Sequence, residues 1–266
     1  MSSSPPIVLT FAGSDPTGGA GLQADLLTLA SMGCHPLSVV TALTVQDTQG
    51  VALVEAVDPA RVRMQAERVL ADIDVAAFKL GVLGSAANVQ VIATILADHA
   101  EIPVVLDPVL ASGRGDTLAS ADVAAALREL LVPQSTVLTP NSLEARRLAE
   151  DSSLEESARR LLARGAEYVL ITGTHEPGRE VVNRLYDSGG MVREDRWPRL
   201  AGSYHGSGCT LASAIAAALA NGRAVPQAVH DAQEFTWQAL AAGFRPGAGQ
   251  LLPDRFYWAR EAEERA

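Results

Sequence analysis

The chain has 266 residues, of which 48% are hydrophobic, 20% charged and only 5% aromatic, and its formal net charge is −10. This acidic balance argues against a nucleic-acid or membrane partner, because both present negative charge, and no apolar run reaches the roughly 18 residues of a bilayer span. The N-terminus lacks a signal-peptide pattern, and two cysteines, Cys34 and Cys209, are too few for a disulfide scaffold. We therefore expect a cytoplasmic protein.

Strand-like and helix-like segments alternate along the chain. An apolar run at residues 7–12 predicts the first strand, and a glycine-rich loop then leads into a helix over 21–33. The later predicted strands are 37–43, 76–80, 103–107, 135–138 and 167–171, and the later predicted helices are 59–73, 86–98, 120–131, 141–149, 153–164, 207–221 and 225–242. A Gly-Gly turn at 189–190 predicts a small β hairpin near 181–197. The alternation predicts an α/β fold, with a mostly parallel central sheet flanked by helices on both faces, in a single domain over 1–266.

The first of two glycine-rich segments, at residues 12–25, joins the first strand to the first helix. Residues 19–24 fit the loose dinucleotide fingerprint, so a Rossmann oxidoreductase is one alternative. That fingerprint needs an acidic residue at the end of the second strand, and residues 41–44 read TALT. Asp25, near the start of the helix, is either a solvated first-turn acid or a carboxylate that faces a substrate hydroxyl.

The second glycine-rich segment, SYHGSGCT at 203–210, precedes the Ala-rich helix. Gly206, Ser207 and Gly208 allow a tight turn that directs backbone N–H groups at an anion, where the helix dipole also favours negative charge. Such donors suit a phosphoryl group in transfer. Cys209 lies in the first turn, which predicts a lowered thiol pKa and a role as proton acceptor. The alternative is a buried structural cysteine.

Six motifs, in order along nearly the whole chain, carry a family resemblance. They are AGSDPTGGAGLQADL at 12–26, MGCHPLSVVTALTVQDTQGV at 32–51, KLGVLGS at 79–85, DPVL at 107–110, TPNSLEA at 139–145 and HGSGCTLASAIAA at 205–217. Together they resemble the hydroxymethylpyrimidine and phosphomethylpyrimidine kinases of the ribokinase superfamily. The resemblance implies a ribokinase-like fold and ATP-dependent phosphorylation of 4-amino-5-hydroxymethyl-2-methylpyrimidine, of its monophosphate, or of both, in thiamine biosynthesis.

The resemblance also implies a set of pocket residues for the pyrimidine: Gly13, Asp25, Gln46 and Val82. Gln46 would pair its side-chain amide with the aminopyrimidine edge, since an amide offers a donor and an acceptor together. Val82 would pack on the ring. Without the resemblance, Gln46 is most simply an exposed loop residue.

At the phosphate end the resemblance implies a Mg²⁺ site and an anion hole. Asp107 and Glu144 would bind Mg²⁺ mostly through water, with Asn141 beside them near the phosphates of ATP, the phosphoryl donor. From the residues alone, Asn141 and Glu144 are most simply explained as a helix cap and a first-turn acid. Gly206, Ser207 and Gly208 would form the anion hole, and Cys209 would act as base. A need for a monovalent cation is left open, and we expect a homodimer.

One position departs from the family pattern. Family members commonly carry a lysine after the strand at 167–171, where this chain has Thr172. Lys79, Arg114 and His175 are the candidates to replace that positive charge, and the preference between alcohol and monophosphate stays open. A pyridoxal kinase of the same fold and a non-catalytic ligand-binding relative are the remaining alternatives.

Overall fold

The structure, a computed structural model, describes residues 4–111, 115, 118–151 and 153–264. Its strands are β1 (Ile7–Ser14), β2 (His35–Gln46), β3 (Val51–Ala56), β4 (Ala77–Leu80), β5 (Val104–Leu106), β6 (Val137–Leu138), β7 (Tyr168–Ile171), β8 (Glu180–Asp187) and β9 (Gly190–Pro198). Its helices are α1 (Gly21–Ser31), α2 (Pro59–Leu70), α3 (Ala86–Ala97), α4 (Ala121–Ala126), α5 (Ser142–Ala149), α6 (Leu154–Ala163), α7 (Ser207–Ala220), α8 (Val225–Ala241) and α9 (Tyr257–Glu264).

The strands form one sheet in the order β3-β2-β1-β4-β5-β6-β7-β8-β9. Neighbours from β2 through β7 pair in parallel, whereas β3 at one edge and the β8–β9 hairpin at the other pair antiparallel. The predicted mostly parallel α/β fold and the hairpin near 181–197 are therefore confirmed. The sequence analysis did not predict β3 or α9.

Adjacent residues of the central strands supply two separate cores, because side chains alternate between the faces of a strand. Leu9 and Phe78 contribute to a core shared with α2 to α6. Val8 and Ala77 contribute to a core shared with α1, α7 and α8. Most of α7 is buried, and its alanines let this helix pack closely on the sheet.

The predicted helix at 120–131 is interrupted. Helix α4 ends at Ala126, residues Leu127–Leu131 form a π-helical turn, and Val132–Gln134 form a 3₁₀ turn. Pro133 contributes to the change, because it has no N–H to donate to the preceding helical turn. In the described ranges, no helix is both long and apolar enough to cross a bilayer.

The parallel strands bring their carboxyl ends to one edge of the sheet, which is where ligands bind in open α/β folds. An isolated bridge between Asn141 and Thr172 extends the pairing of β6 and β7 past that edge. The loops that follow β1, β4, β5, β6 and β7 and the start of α7 meet there around a cavity.

Candidate active site

The cavity has a volume of about 490 Å³. Its lining includes every site residue predicted from the sequence except Asp25: Gly13, Gln46, Val82, Asp107, Asn141, Glu144, Gly206, Ser207, Gly208 and Cys209. Their shared location agrees with one ligand site, while the role of each residue stays a prediction.

Residues 206–209, which we call the cradle, open the cavity-facing end of α7. Gly206 precedes the helix with φ +81° and carries no side chain to cap it. The first N–H groups of a helix lack acceptors within the helix, so those of the cradle are available to an anion in the cavity. A Cβ on Gly206 would lie 1.8 Å from the carbonyl oxygen of Gly19, so only glycine fits here.

The glycine loop, residues 15–20, is joined through Asp15 to His205, the residue that precedes the cradle. The Asp15 carboxylate accepts hydrogen bonds from Ala20 N (2.7 Å), Thr17 Oγ1 (2.9 Å) and His205 Nε2 (2.9 Å). Burial alone would raise the pKa of Asp15, but these hydrogen bonds hold that pKa below its ordinary value. The sequence analysis missed this contact. Its local half, an Asp followed by Pro-Thr-Gly, is a turn signal, but the distant His205 is not deducible from it.

Asp25 is not among the residues that line the cavity, and its predicted place in the pyrimidine pocket stays a prediction. It is fully buried between α1, α7 and the sheet, where it accepts hydrogen bonds from Thr10 Oγ1 (2.7 Å) and Ser213 Oγ (2.8 Å). Its main partner is Lys79, whose Nζ lies 2.8 Å from Asp25 Oδ1.

The same ion pair removes Lys79 as a free replacement for the missing lysine at position 172. Burial alone would lower the pKa of Lys79, but the Asp25 carboxylate raises it above its ordinary value. Thr172 and His175 line the cavity. Arg114 lies outside the described residues.

Asn141 and Glu144 form a reciprocal cap at the start of α5. Asn141 Oδ1 accepts from the backbone of Leu143 and Glu144 (both 2.9 Å), and Glu144 Oε2 accepts from Asn141 N (3.0 Å). The second Glu144 oxygen accepts from Leu110 N at 3.2 Å. The capping explanation therefore describes the local structure, and the cap holds both side chains at the cavity wall.

The acidic pair Asp107 and Glu144 carries raised pKa values. Burial and the repulsion of Asp107 raise the pKa of Glu144 to about 8. Burial raises the pKa of Asp107 to about 6 even though Lys79 opposes the shift. Two oxygen-donor carboxylates that repel each other on one cavity wall fit a hard cation such as Mg²⁺, which would favour their ionised forms.

We expect the stability of the ligand-free protein to fall as the pH rises from 5 to 8. The folded protein keeps a proton on Glu144 up to about pH 8, whereas the unfolded chain releases it near 4.5. The unfolded state therefore binds fewer protons in this window, and Glu144 alone lowers the stability by at most about 1.4 kcal/mol per pH unit, to which the raised pKa of Asp107 adds below about pH 6.

Urea unfolding across this range measures the slope. Glu144→Gln should flatten it, and Glu129→Gln, at an exposed side chain paired with Arg128, should not. An unchanged slope in Glu144→Gln would contradict the assignment.

The predicted thiolate at Cys209 is wrong for this state of the protein. Burial raises the pKa of the Cys209 thiol to about 12, although nearby Lys79 opposes the shift and Gly21 N–H donates to the sulfur. The loss of hydration therefore outweighs the helix terminus, which the sequence position alone had suggested would dominate. The packing around Cys209 therefore disfavours the thiolate.

The far end of the cavity is aromatic and polar. Trp197 and Trp237 stack with ring centroids 6.4 Å apart and 28° between their planes. Gln233 Oε1 accepts from Trp197 Nε1 (3.1 Å) and Asn183 Nδ2 (2.8 Å), and Asn183 Oδ1 accepts from Gly173 N (3.0 Å). The sequence analysis missed these residues because they are brought together from β9, α8 and β8.

Known proteins resemble this chain in both sequence and structure. The sequence matches the model of the phosphomethylpyrimidine kinase family over residues 15–254. A hydroxymethylpyrimidine/phosphomethylpyrimidine kinase of Streptomyces coelicolor is 42% identical over 92% of both chains. The thiamine biosynthesis bifunctional protein ThiED of Geobacter sulfurreducens is 38% identical over 97% of this chain and 54% of its own length. The ADP complex of Bacillus subtilis pyridoxal kinase is similar in structure, with a TM-score of 0.89 and 30% identity, over 96% of this chain and 99% of that chain.

Proposed function

Because the chain belongs to the phosphomethylpyrimidine kinase family, we propose that it transfers the γ-phosphate of ATP to 4-amino-5-hydroxymethyl-2-methylpyrimidine and then to the monophosphate, in thiamine biosynthesis. One observation carries this proposal: the uncapped start of α7 opens into the same cavity as Gln46 and Val82. A phosphoryl acceptor bound by the side chains would therefore meet the main-chain donors of the cradle.

The pyrimidine would occupy the end of the cavity lined by Gly13, Gln46 and Val82. Gln46 lies at the end of β2, and its Nε2 donates to Thr44 Oγ1 at 2.8 Å. That bond orients the amide and leaves its oxygen and one N–H for the ring. ATP would lie toward the two tryptophans, with its phosphates directed at the cradle.

Transfer would proceed by in-line attack of the hydroxyl oxygen on the γ-phosphorus of ATP. The cradle amides would stabilise the charge that develops on the phosphoryl oxygens, so positioning and electrostatics supply most of the rate. Asp107 lies beside the cradle, with its Oδ2 3.6 Å from where a Cβ on Gly208 would be, and its pKa lies below that of the buried Cys209 thiol. We therefore assign the hydroxyl proton to Asp107 and a contact with the hydroxymethyl group to Cys209. The monophosphate is already ionised and needs no acceptor.

Asp107 and Glu144 would hold Mg²⁺ mostly through water, with Asn141 beside them. When bound, the ion would neutralise the β- and γ-phosphates of ATP. We expect Glu144→Gln to raise the Mg²⁺ concentration for half-maximal activity about tenfold, because one of two carboxylates is lost. A Mg²⁺ titration at saturating substrate measures the change. Glu129→Gln should match the wild type, and an unchanged requirement in Glu144→Gln would exclude Glu144 from the metal site.

Three further features belong to the proposal: one kinase domain, a cytoplasmic location and a homodimer. The single sheet supports the first, and the free thiols of Cys34 and Cys209 agree with the second. Leu43, Val45 and Leu53 are each more than half exposed at the β2–β3 edge of the sheet, which supports the third. Sedimentation of the purified protein tests it.

An ATP-consumption assay against the pyrimidine alcohol, its monophosphate and pyridoxal tests the function. We expect turnover of the first two with Mg²⁺, and runs with and without K⁺ address the monovalent ion. Turnover of pyridoxal alone would favour the pyridoxal kinase alternative, which the likeness to the Bacillus subtilis enzyme keeps relevant. Absence of ATP consumption with all three would remove the proposed function.

A further inference from the structure

A buried guanidinium group lies beside the cradle and forms no ion pair with a carboxylate of the described residues. Arg255, between Leu252 and α9, is 3% exposed. The nearby carboxylates already have other partners: Asp15 pairs with His205 (2.9 Å), Asp25 with Lys79 (2.8 Å) and Asp254 with Arg260 (2.5 Å). A buried charge of this kind is costly unless its donors are satisfied, so its contacts indicate what it does.

Within the described part of the chain, the hydrogen bonds of the Arg255 guanidinium all go to the segments that build the cradle. Nη2 donates to Gly19 O (2.6 Å) and Nη1 to Gly18 O (3.4 Å), both in the glycine loop. Nε donates to Thr210 Oγ1 (3.1 Å) in the first turn of α7. The planar fork of the guanidinium thus ties the glycine loop to the helix that carries the cradle.

Two of these contacts reach Gly206 itself. The Gly19 carbonyl bound by Arg255 is the group that a Cβ on Gly206 would meet at 1.8 Å. Thr210 Oγ1, which accepts from Arg255, donates in turn to Gly206 O at 2.8 Å. The left-handed turn at Gly206 is therefore held from both sides through one guanidinium.

The backbone around Arg255 is fixed before any ligand binds. Leu252 exchanges hydrogen bonds with Phe244 (2.8 and 3.0 Å), and Asp254 N donates to Ala239 O (2.9 Å). Ser31 Oγ donates to the carbonyl of Arg255 itself (2.5 Å). These bonds place the side chain in advance, as a preorganised site requires.

We propose that Arg255 is a positioning residue for phosphoryl transfer, which fixes the geometry of the cradle and keeps a permanent positive charge beside it. The inference rests on the proposed kinase function. A guanidinium stays protonated throughout the reaction. Its charge is relevant because Thr172 is uncharged at the position where the family commonly has lysine. Arg255 is not among the residues that line the cavity, and it acts through Gly19, Thr210 and Gly206.

Substitution with kinetic readouts tests the proposal. Arg255→Met should lower kcat on the pyrimidine alcohol about 10²-fold, as expected for a disturbed set of oxyanion donors. KM for the pyrimidine should change by less than about twofold, since Gln46 and Val82 are untouched. Fluorescence of Trp197 and Trp237 on titration with ADP checks that the nucleotide end is intact. Arg223→Met, at an exposed arginine beyond the far end of α7, should behave as the wild type.

Chemical rescue separates a positioning role from a merely structural one. In Arg255→Ala, guanidinium at a sub-denaturing concentration should raise kcat at least about tenfold. Urea, which has a similar planar shape but no charge, should not. Neither compound should alter the activity of Arg223→Met. Failure of guanidinium to rescue a folded, ADP-binding Arg255→Ala enzyme would overturn the proposal.

A conservative variant covers the case in which the truncated proteins do not fold. Arg255→Lys keeps the charge but cannot donate to three separated acceptors, so we expect kcat to fall about tenfold. Full activity in Arg255→Lys would overturn the role of the planar guanidinium group. Wild-type kcat in Arg255→Met would overturn the inference alone, whereas a wild-type enzyme inactive on every substrate would remove the proposed function.

Discussion

Gly206→Ala is expected to lower kcat by at least about 10³-fold. The new Cβ would lie 1.8 Å from the Gly19 carbonyl oxygen, and the φ of +81° adds the strain of a left-handed conformation. The glycine loop or the start of α7 must move to relieve the overlap, and either movement misaligns the cradle amides. Steady-state kinetics on the pyrimidine alcohol, with circular dichroism to confirm folding, measures the effect.

Gly222→Ala is the matched control, because Gly222 lies just beyond the other end of α7 with φ +79° and nothing within 4 Å of the added Cβ. It carries the same backbone strain, about 1–2 kcal/mol, without the steric overlap. We expect reduced stability and unchanged kcat. A folded Gly206→Ala enzyme with the kcat of Gly222→Ala would contradict the role of the cradle.

Asp25→Asn is expected to destabilise the protein by about 3–5 kcal/mol, because it leaves the buried Lys79 ammonium without a counter-charge. Lys79→Met should cost a similar amount by leaving the carboxylate unpaired. The double variant should be destabilised by less than the sum of the two, since it buries no unpaired charge. Urea unfolding of the four proteins gives the coupling energy.

The same series tests whether Asp25 belongs to the pyrimidine pocket. A pocket residue would raise KM for the pyrimidine when changed and leave stability nearly unaltered. We expect the reverse for Asp25→Asn: lost stability, and KM close to the wild-type value where the protein is folded. Arg63→Met, which breaks only the exposed pair with Glu67, should cost less than about 1 kcal/mol.

The local pattern of the sequence was sufficient for most of the fold. Short apolar runs predicted the central strands, and the Gly-Gly turn predicted the β8–β9 hairpin. Strand β3 escaped prediction because most of Val51–Ala56 is exposed or half-buried at the sheet edge, so burial imposes no alternation on it. The π turn after Ala126 escaped because helical spacing does not distinguish a helix from its locally widened form.

The candidate site was predictable where its residues lie within motifs and not where it depends on distant contacts. The glycine segments and the Asn141–Glu144 cap were found in this way. The pair Asp25–Lys79 joins residues 54 positions apart, and Arg255 contacts Gly19 across 236 positions. The prediction of a lowered thiol pKa at Cys209 failed for a related reason. The position of Cys209 at a helix terminus can be read from the local sequence, whereas its burial depends on the packing of the whole protein.

The account depends most on the cradle amides binding the phosphoryl group during transfer. The direct test is a crystal structure of the enzyme with ADP, Mg²⁺, aluminium fluoride and the pyrimidine alcohol. We predict fluoride ligands about 2.7–3.1 Å from the backbone nitrogens of Ser207, Gly208 and Cys209, with the hydroxyl oxygen in line on the opposite side from ADP. Aluminium fluoride bound away from the start of α7 would contradict the account.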